Sequence, residues 1–327
     1  MRRQIIVMFF SLFWLTAPGH AAAKAGEPSK APAPVAAPAS VQSGALAAPP
    51  AAPRQRGALF KVQGGGHTLY LFGTMHVGLP DFYPLEPVIS GAIAHATTLA
   101  LEVDPTRDPA AIAGAMQQHG MFAPGSAGYK DMPPALADKL ARVLAARHME
   151  LAGVAGLKPW LLATVLALGE FAQQGYRADL AVDSHLAQLA HVRHLPVLEL
   201  ETVQSQLSLF SRLSAAEQWR FLDDAIDAIE NGKQADQVRE VVDAWSTADQ
   251  AGLEAIAAKA AEDQTFSGQF IQHVMLDERN GPLANKLAQL LGREANSVAA
   301  IGVLHLVGKT SVPQLLRARG LTVERVY

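Results

Sequence analysis

Two stretches near opposite ends of the chain finish in the same way. Leu69-Tyr70-Leu71-Phe72 runs into Gly73-Thr74-Met75-His76, and Val298-Ala299-Ala300-Ile301 runs into Gly302-Val303-Leu304-His305. In open α/β sheets ligands bind beyond the carboxyl ends of strands, where a glycine lets the backbone turn and a following side chain projects into the crevice. Spacing alone is weak: with 26 Gly and 11 His in 327 residues, about one Gly-x-x-His arises by chance, and the chain has three. The third, Gly64-Gly65-Gly66-His67, falls in a hairpin turn. The other two each follow an apolar strand and precede a further glycine, Gly78 or Gly308. His76 and His305, about 230 residues apart, are therefore expected to face one site.

Glu102, in Leu99-Ala100-Leu101-Glu102-Val103-Asp104, lies toward the end of a third strand, on the face it shares with Ala100 and Asp104. Two imidazoles and a carboxylate make a set that binds a divalent metal ion and water, with manganese, cobalt and zinc as the candidate ions. The chain has no Cys, which excludes disulfides, Cys-ligated zinc, iron–sulfur clusters and thiol nucleophiles. Glu102 is then either the third ligand or the general base for metal-bound water, and both roles stay open. Three middle positions have a functional and a structural reading each. Glu201 ends a strand facing the same crevice or caps the next helix; Arg279 clamps a substrate carboxylate or oxyanion, or forms a salt bridge; Asp183 is a site residue or a helix N-cap. His191 and His194 have a metal-compatible i, i+3 spacing but no nearby carboxylate on that face, and are read as surface.

These residues, in this order, resemble the TraB/GumN family, which includes the TIKI-type Wnt-inactivating metalloproteases. Gly73 to His76, Glu102 and Gly302 to His305 match the family's two Gly-x-x-His motifs and the Glu after the first. Asp183 with its helix, Leu200-Glu201-Thr202 with Gln206, Arg279-Asn280, and Leu304-His305-Leu306-Val307-Gly308 resemble its middle and C-terminal motifs. The resemblance runs from about Ala58 to Tyr327, with one departure: Pro282-Leu283 stands where an aromatic is expected. It implies a metal-dependent hydrolase with a peptide or small-molecule substrate, in which His76 and His305, with Glu102, hold the metal, and Glu201 and Arg279 join the catalytic set. The family is also distantly similar to erythromycin esterases and to a haem-binding lipoprotein group. The alternative function is accordingly a non-catalytic periplasmic protein that binds a metal or haem.

The elements that must position these residues are strands at both ends with helices between. Strands are expected at 58–62, 67–72, 98–103, 196–200, 297–301 and 321–326, and helices at 86–96 and 312–319. Leu136, Leu140, Val143 and Leu144 have helical spacing, as do Val182, Leu186, Leu189 and Ala190. Ser214 to Glu217 reads as a capping box, and Pro282 as the first turn of a helix carrying Leu283, Leu287, Leu290 and Leu291. The expected fold is α/β, a mixed sheet formed by the N- and C-terminal parts of the domain with a large, mostly helical middle section.

The first 56 residues stand outside that fold. A cationic start at Met1-Arg2-Arg3, an apolar run from Ile5 to Ala17 and small residues at Ala21 to Ala23 predict a signal peptide over 1–23, and hence a secreted, periplasmic protein. Residues 24–56, rich in Ala and Pro, predict a disordered tether, leaving 57–327 as the α/β domain. No stable membrane span is expected once the signal is removed. A net charge of −3 gives no electrostatic footprint for nucleic acid, so DNA and RNA are excluded as partners.

Overall fold

The computed structural model describes residues 54–327; the expected signal peptide and nearly all of the tether lie outside the described residues. Its strands are β1 (Leu59–Gly64), β2 (His67–Thr74), β3 (Thr98–Leu101), β4 (Val197–Glu199), β5 (Asn296–Gly302) and β6 (Thr322–Arg325). They form one sheet in the order β4-β3-β5-β2-β1-β6. The hairpin β1–β2 turns through Gly65 and Gly66, whose φ angles of 59° and 83° suit glycine. β6 pairs antiparallel with β1, while β2, β5, β3 and β4 run parallel to one another. The fold is therefore a mixed α/β arrangement in which the two ends of the chain complete one sheet, as expected.

The reason is visible in β5. Val298, Ala299, Ala300 and Ile301 are all buried, a continuous apolar run of the kind that a strand covered on both faces needs, so β5 takes the middle of the parallel set. Register then does the positioning. Thr74 pairs with Gly302, Leu101 with Ala300, and Leu101 also with Glu199, so β2, β5, β3 and β4 end at one edge. The residues following each strand are gathered along that edge.

Between β3 and β5 the chain is mostly helix and builds a second apolar core. Helix Pro134–Ala146 buries Leu136, Leu140, Val143 and Leu144, and Trp160 stacks on Phe210 with ring centroids 4.2 Å apart. Helix Ala215–Glu230 opens with the expected reciprocal box between Ser214 and Glu217 and buries Leu222 and Ile226. Pro282 departs from expectation. It lies inside helix Glu278–Arg293, which continues from Phe266–Phe270 through a π-helical stretch, Ile271–Asp277. Proline lacks an N–H and crowds the carbonyl four residues earlier, and here it follows wide turns whose hydrogen-bond ladder is already out of step. No helix among the described residues is long and apolar enough to cross a membrane.

Candidate active site

His76 follows β2, where the backbone N–H of Val182 donates to the Met75 carbonyl at 2.9 Å and ties helix Val182–Val192 to the strand end. This places Asp183, in that helix's first turn, 3.0 Å from His76 Nδ1. Ala181, not Asp183, holds the N-cap position, so the carboxylate is turned toward the imidazole. His305, in the short turn Val303–Leu306, has its Nδ1 2.6 Å from Asn280 Oδ1. Asn280 Nδ2 donates to the Thr310 carbonyl at 3.0 Å, so Oδ1 is the acceptor and His305 Nδ1 carries the proton. A carboxylate acceptor assigns His76 in the same way. Each neutral ring therefore keeps the lone pair on Nε2.

Burial and the nearby Arg279 push His305 down to about 4, which keeps it neutral. Burial also opposes charge on His76, but Asp183 outweighs it and raises the pKa.

Glu102 is 5% exposed and held on both oxygens. The Gly302 N–H donates to Oε1 at 2.6 Å, and Gln206 Nε2 and Arg279 Nη2 donate to Oε2 at 3.2 and 2.5 Å. Burial alone would raise its pKa. Arg279, followed by His305 and His76, reverses that and holds the carboxyl well below the usual range. Arg279 also donates through Nε and Nη2 to Glu201, and through Nη1 to the Met275 carbonyl in the π-helical stretch. Of the two readings of Arg279, the geometry is the salt bridge. Glu201 is the second partner of that guanidinium; Thr202 and Ser205 cap the following helix, Val203–Phe210.

The three side chains read from the sequence come together around Gly302. A Cβ added there would stand 3.3 Å from Glu102 Oε1, 3.7 Å from His76 Nε2 and 3.7 Å from His305 Cδ2, so this glycine leaves open the space on which they converge. The cavity is very small, about 10 Å³, the space of a single water-sized atom, and is lined also by Thr74, Leu276, Val303 and Leu304. An open groove of about 510 Å³ shares Leu276 and Leu304 with it and runs along helix Gln250–Ala261. Among the described residues no group of three or more His, Asp or Glu side chains is arranged to hold a metal ion.

Two other histidines resolve differently. His191 is exposed, as read from the sequence, but its Nε2 lies 2.8 Å from Asp104 Oδ2, a carboxylate with a fully buried side chain, so only the reading that no carboxylate stands near it is corrected. Asp104 lies 87 residues upstream, beyond the reach of local spacing. His119 Nδ1 lies 2.8 Å from Ser211 Oγ, which suggests a nucleophile–base pair. Gln204 Nε2, however, donates to His119 Nε2 at 2.7 Å. The Nδ1 proton therefore points at Ser211, and His119 cannot take the hydroxyl proton.

The profile of the TraB/PrgY/gumN family matches residues 58–325, which takes in every element of this sheet. The chain belongs to that family. It is similar to the uncharacterized protein YbaP of Escherichia coli (strain K12), with 24% identity over an alignment of 263 positions that covers 77% of this chain and 89% of the relative. The uncharacterized YbaP of Shigella flexneri matches with the same identity and coverage. No solved structure matches. In this TraB/PrgY/gumN member both Gly-x-x-His motifs reach the cavity, joined by Glu102. Glu201 and Arg279 stand behind them. Sequence reasoning missed Thr74 as a lining residue, and it assigned neither Asp183 nor Asn280 as the partner of a particular ring. The Asn280 amide sits 25 residues from the imidazole it orients, with no periodic signal linking them.

Proposed function

We propose that this chain is a metal-dependent hydrolase that cleaves a peptide or small-molecule carbonyl substrate, with His76 and His305 as metal ligands and Glu102 as general base. The observation that carries the reading is the convergence of His76, His305 and Glu102 on Gly302, with the outer nitrogen of each ring held by its own partner. Such partners fix the tautomer and aim of metal-binding imidazoles. Charge supports the same reading. Glu102 and Glu201 share the single guanidinium of Arg279, and Asp183 stands behind His76, so carboxylates outnumber the fixed positive charge around the site. Buried charge of that kind is costly unless a cation accompanies it.

A bound divalent ion would supply Lewis acidity and an activated water. The chain's own groups do the rest. Both oxygens of Glu102 already accept hydrogen bonds from the protein, which counts against a third ligand; the role left to it is the base that takes the water's proton, a weak one because Arg279 holds the carboxyl so low. Arg279 keeps that carboxylate ionised and immobile. Leu276, Val303 and Leu304 limit water in the cavity, and the adjoining groove has room for the substrate outside the reacting bond.

Metal analysis of the purified protein, followed by a peptide-library cleavage assay with manganese, cobalt or zinc and with chelator, tests this. The expected result is bound metal and hydrolysis that chelation and His76→Ala both abolish. Hydrolysis that survives both contradicts the site. Tight metal binding without hydrolysis under any ion favours the non-catalytic binder.

We also propose export to the periplasm, on the cationic start, the apolar run and Ala21 to Ala23. N-terminal sequencing of protein from a Gram-negative host should begin within a few residues of Lys24. A product starting at Met1 and sedimenting with membranes would rule this out.

A further inference from the structure

Thr74 is the last residue of β2, paired in register with Gly302 of β5, and it lines the cavity beside His76, Glu102 and His305. It is 1% exposed, and its hydroxyl oxygen is buried without a hydrogen-bond partner. Buried hydroxyls are normally paired, and an unpaired one costs stability. Valine has nearly the same shape, suits a strand better and would avoid that cost. Among the described residues the hydroxyl therefore has no structural partner.

Its surroundings indicate what it could serve. The other polar side chains lining the cavity are His76, whose Nε2 faces the Gly302 space, His305, and the Glu102 carboxylate, all of them ligands or acceptors. Among the described side chains lining this cavity, Thr74 alone carries a hydroxyl. A cavity rich in acceptors binds an oxygen that is gaining negative charge only if something donates to it.

We infer that Thr74 is a further catalytic residue, whose hydroxyl donates a hydrogen bond to the substrate carbonyl oxygen as it becomes an oxyanion. This rests on the hydrolase reading. When the water oxygen bonds to the carbonyl carbon, the water's proton passes to Glu102 and the C=O π pair moves onto the carbonyl oxygen. The Thr74 O–H meets that charge. On collapse the pair re-forms the C=O bond, the bond to the leaving group breaks, and the leaving group takes its proton from Glu102. The substrate class is thus an acyl compound, an amide or ester, whose carbonyl oxygen takes the water-sized space of the cavity while the remainder lies in the groove.

The test compares wild type, Thr74→Val and Thr74→Ser in the full chain. Loss of one oxyanion donor lowers kcat about 10²–10³-fold. Thr74→Val is expected to show that loss with KM nearly unchanged, the same metal content, and a thermal midpoint equal to or above wild type. Thr74→Ser should recover most of the rate. Inorganic phosphate, one of whose oxygens can stand in for the oxyanion, provides a readout independent of turnover. Its binding to the metal-loaded protein, measured by calorimetry, should weaken at least about tenfold in Thr74→Val.

A Thr74→Val protein with wild-type kcat and phosphate affinity overturns the inference. So does one that fails to fold or melts well below wild type, because the hydroxyl would then be structural. If wild type hydrolyses nothing while Thr74→Val still loses phosphate, the anion-binding role of the hydroxyl stands and the hydrolase reading falls. If hydrolysis is present and identical in both proteins, only the assignment of Thr74 falls.

Discussion

Glu102→Gln is expected to bind metal through His76 and His305 as wild type does and to hydrolyse substrate at least about 10²-fold more slowly, the usual contribution of a positioned acid–base group. Gln has the same length and keeps one oxygen, but its amide cannot take a proton from water. The hydrogen bonds make the comparison demanding. In wild type the two carboxylate oxygens accept from the Gly302 N–H on one side and from Gln206 and Arg279 on the other. An amide can satisfy only one side, and its NH2 must then face a donor. A modest fall in thermal midpoint should accompany the loss of rate, so both are measured, together with metal content after dialysis. If metal and rate fall together, and added metal restores the rate, Glu102 is a ligand and the assignment as base is wrong.

Arg279→Met is expected to destabilise the protein by about 3–5 kcal/mol, the cost of leaving buried charge unpaired when one member of an ion pair is removed. Arg279 is 5% exposed and is hydrogen-bonded to Glu102, to Glu201 and to a carbonyl of the π-helical stretch. Without it two carboxylates face each other in a poorly solvated space. A second substitution distinguishes charge from packing. Glu201→Gln, nearly neutral in volume, should recover part of the loss in the Arg279→Met background although it destabilises the wild type. Urea titration of the four proteins measures this coupling. Additive losses would mean that Arg279 acts through its alkyl stem and the carboxylates are solvated.

The parts of the fold read correctly from the sequence are those with a local pattern. The unbroken apolar run Val298 to Ile301 marks a doubly covered strand, and the box from Ser214 to Glu217 marks a helix start. The convergence of His76, His305 and Glu102 followed from strand endings, because parallel neighbours in register end together. Pairings across long sequence separations could not be read this way. Asp183 is 107 residues from the ring it orients, and Asp104 is 87 from His191. Pro282 misled because helix-start statistics assume a 3.6-residue period, and the π-helical turns before it disguise the continuity of the helix.

The position of β5 has a consequence for how the protein is made. β2 and β3 do not pair with each other; each pairs with β5, which begins at Asn296. During synthesis the chain therefore carries both halves of its parallel sheet with open inner edges until almost the whole polypeptide has left the ribosome. Such edges pair readily with the wrong strand, so holding them apart is a task for a chaperone or for the folding helices of the middle section. The strand that joins them brings Gly302 and His305 with it, so the cavity shared by His76, Glu102 and His305 forms in the same event that closes the sheet. A chain cut short anywhere before Asn296 lacks Gly302 and His305 and has no such cavity.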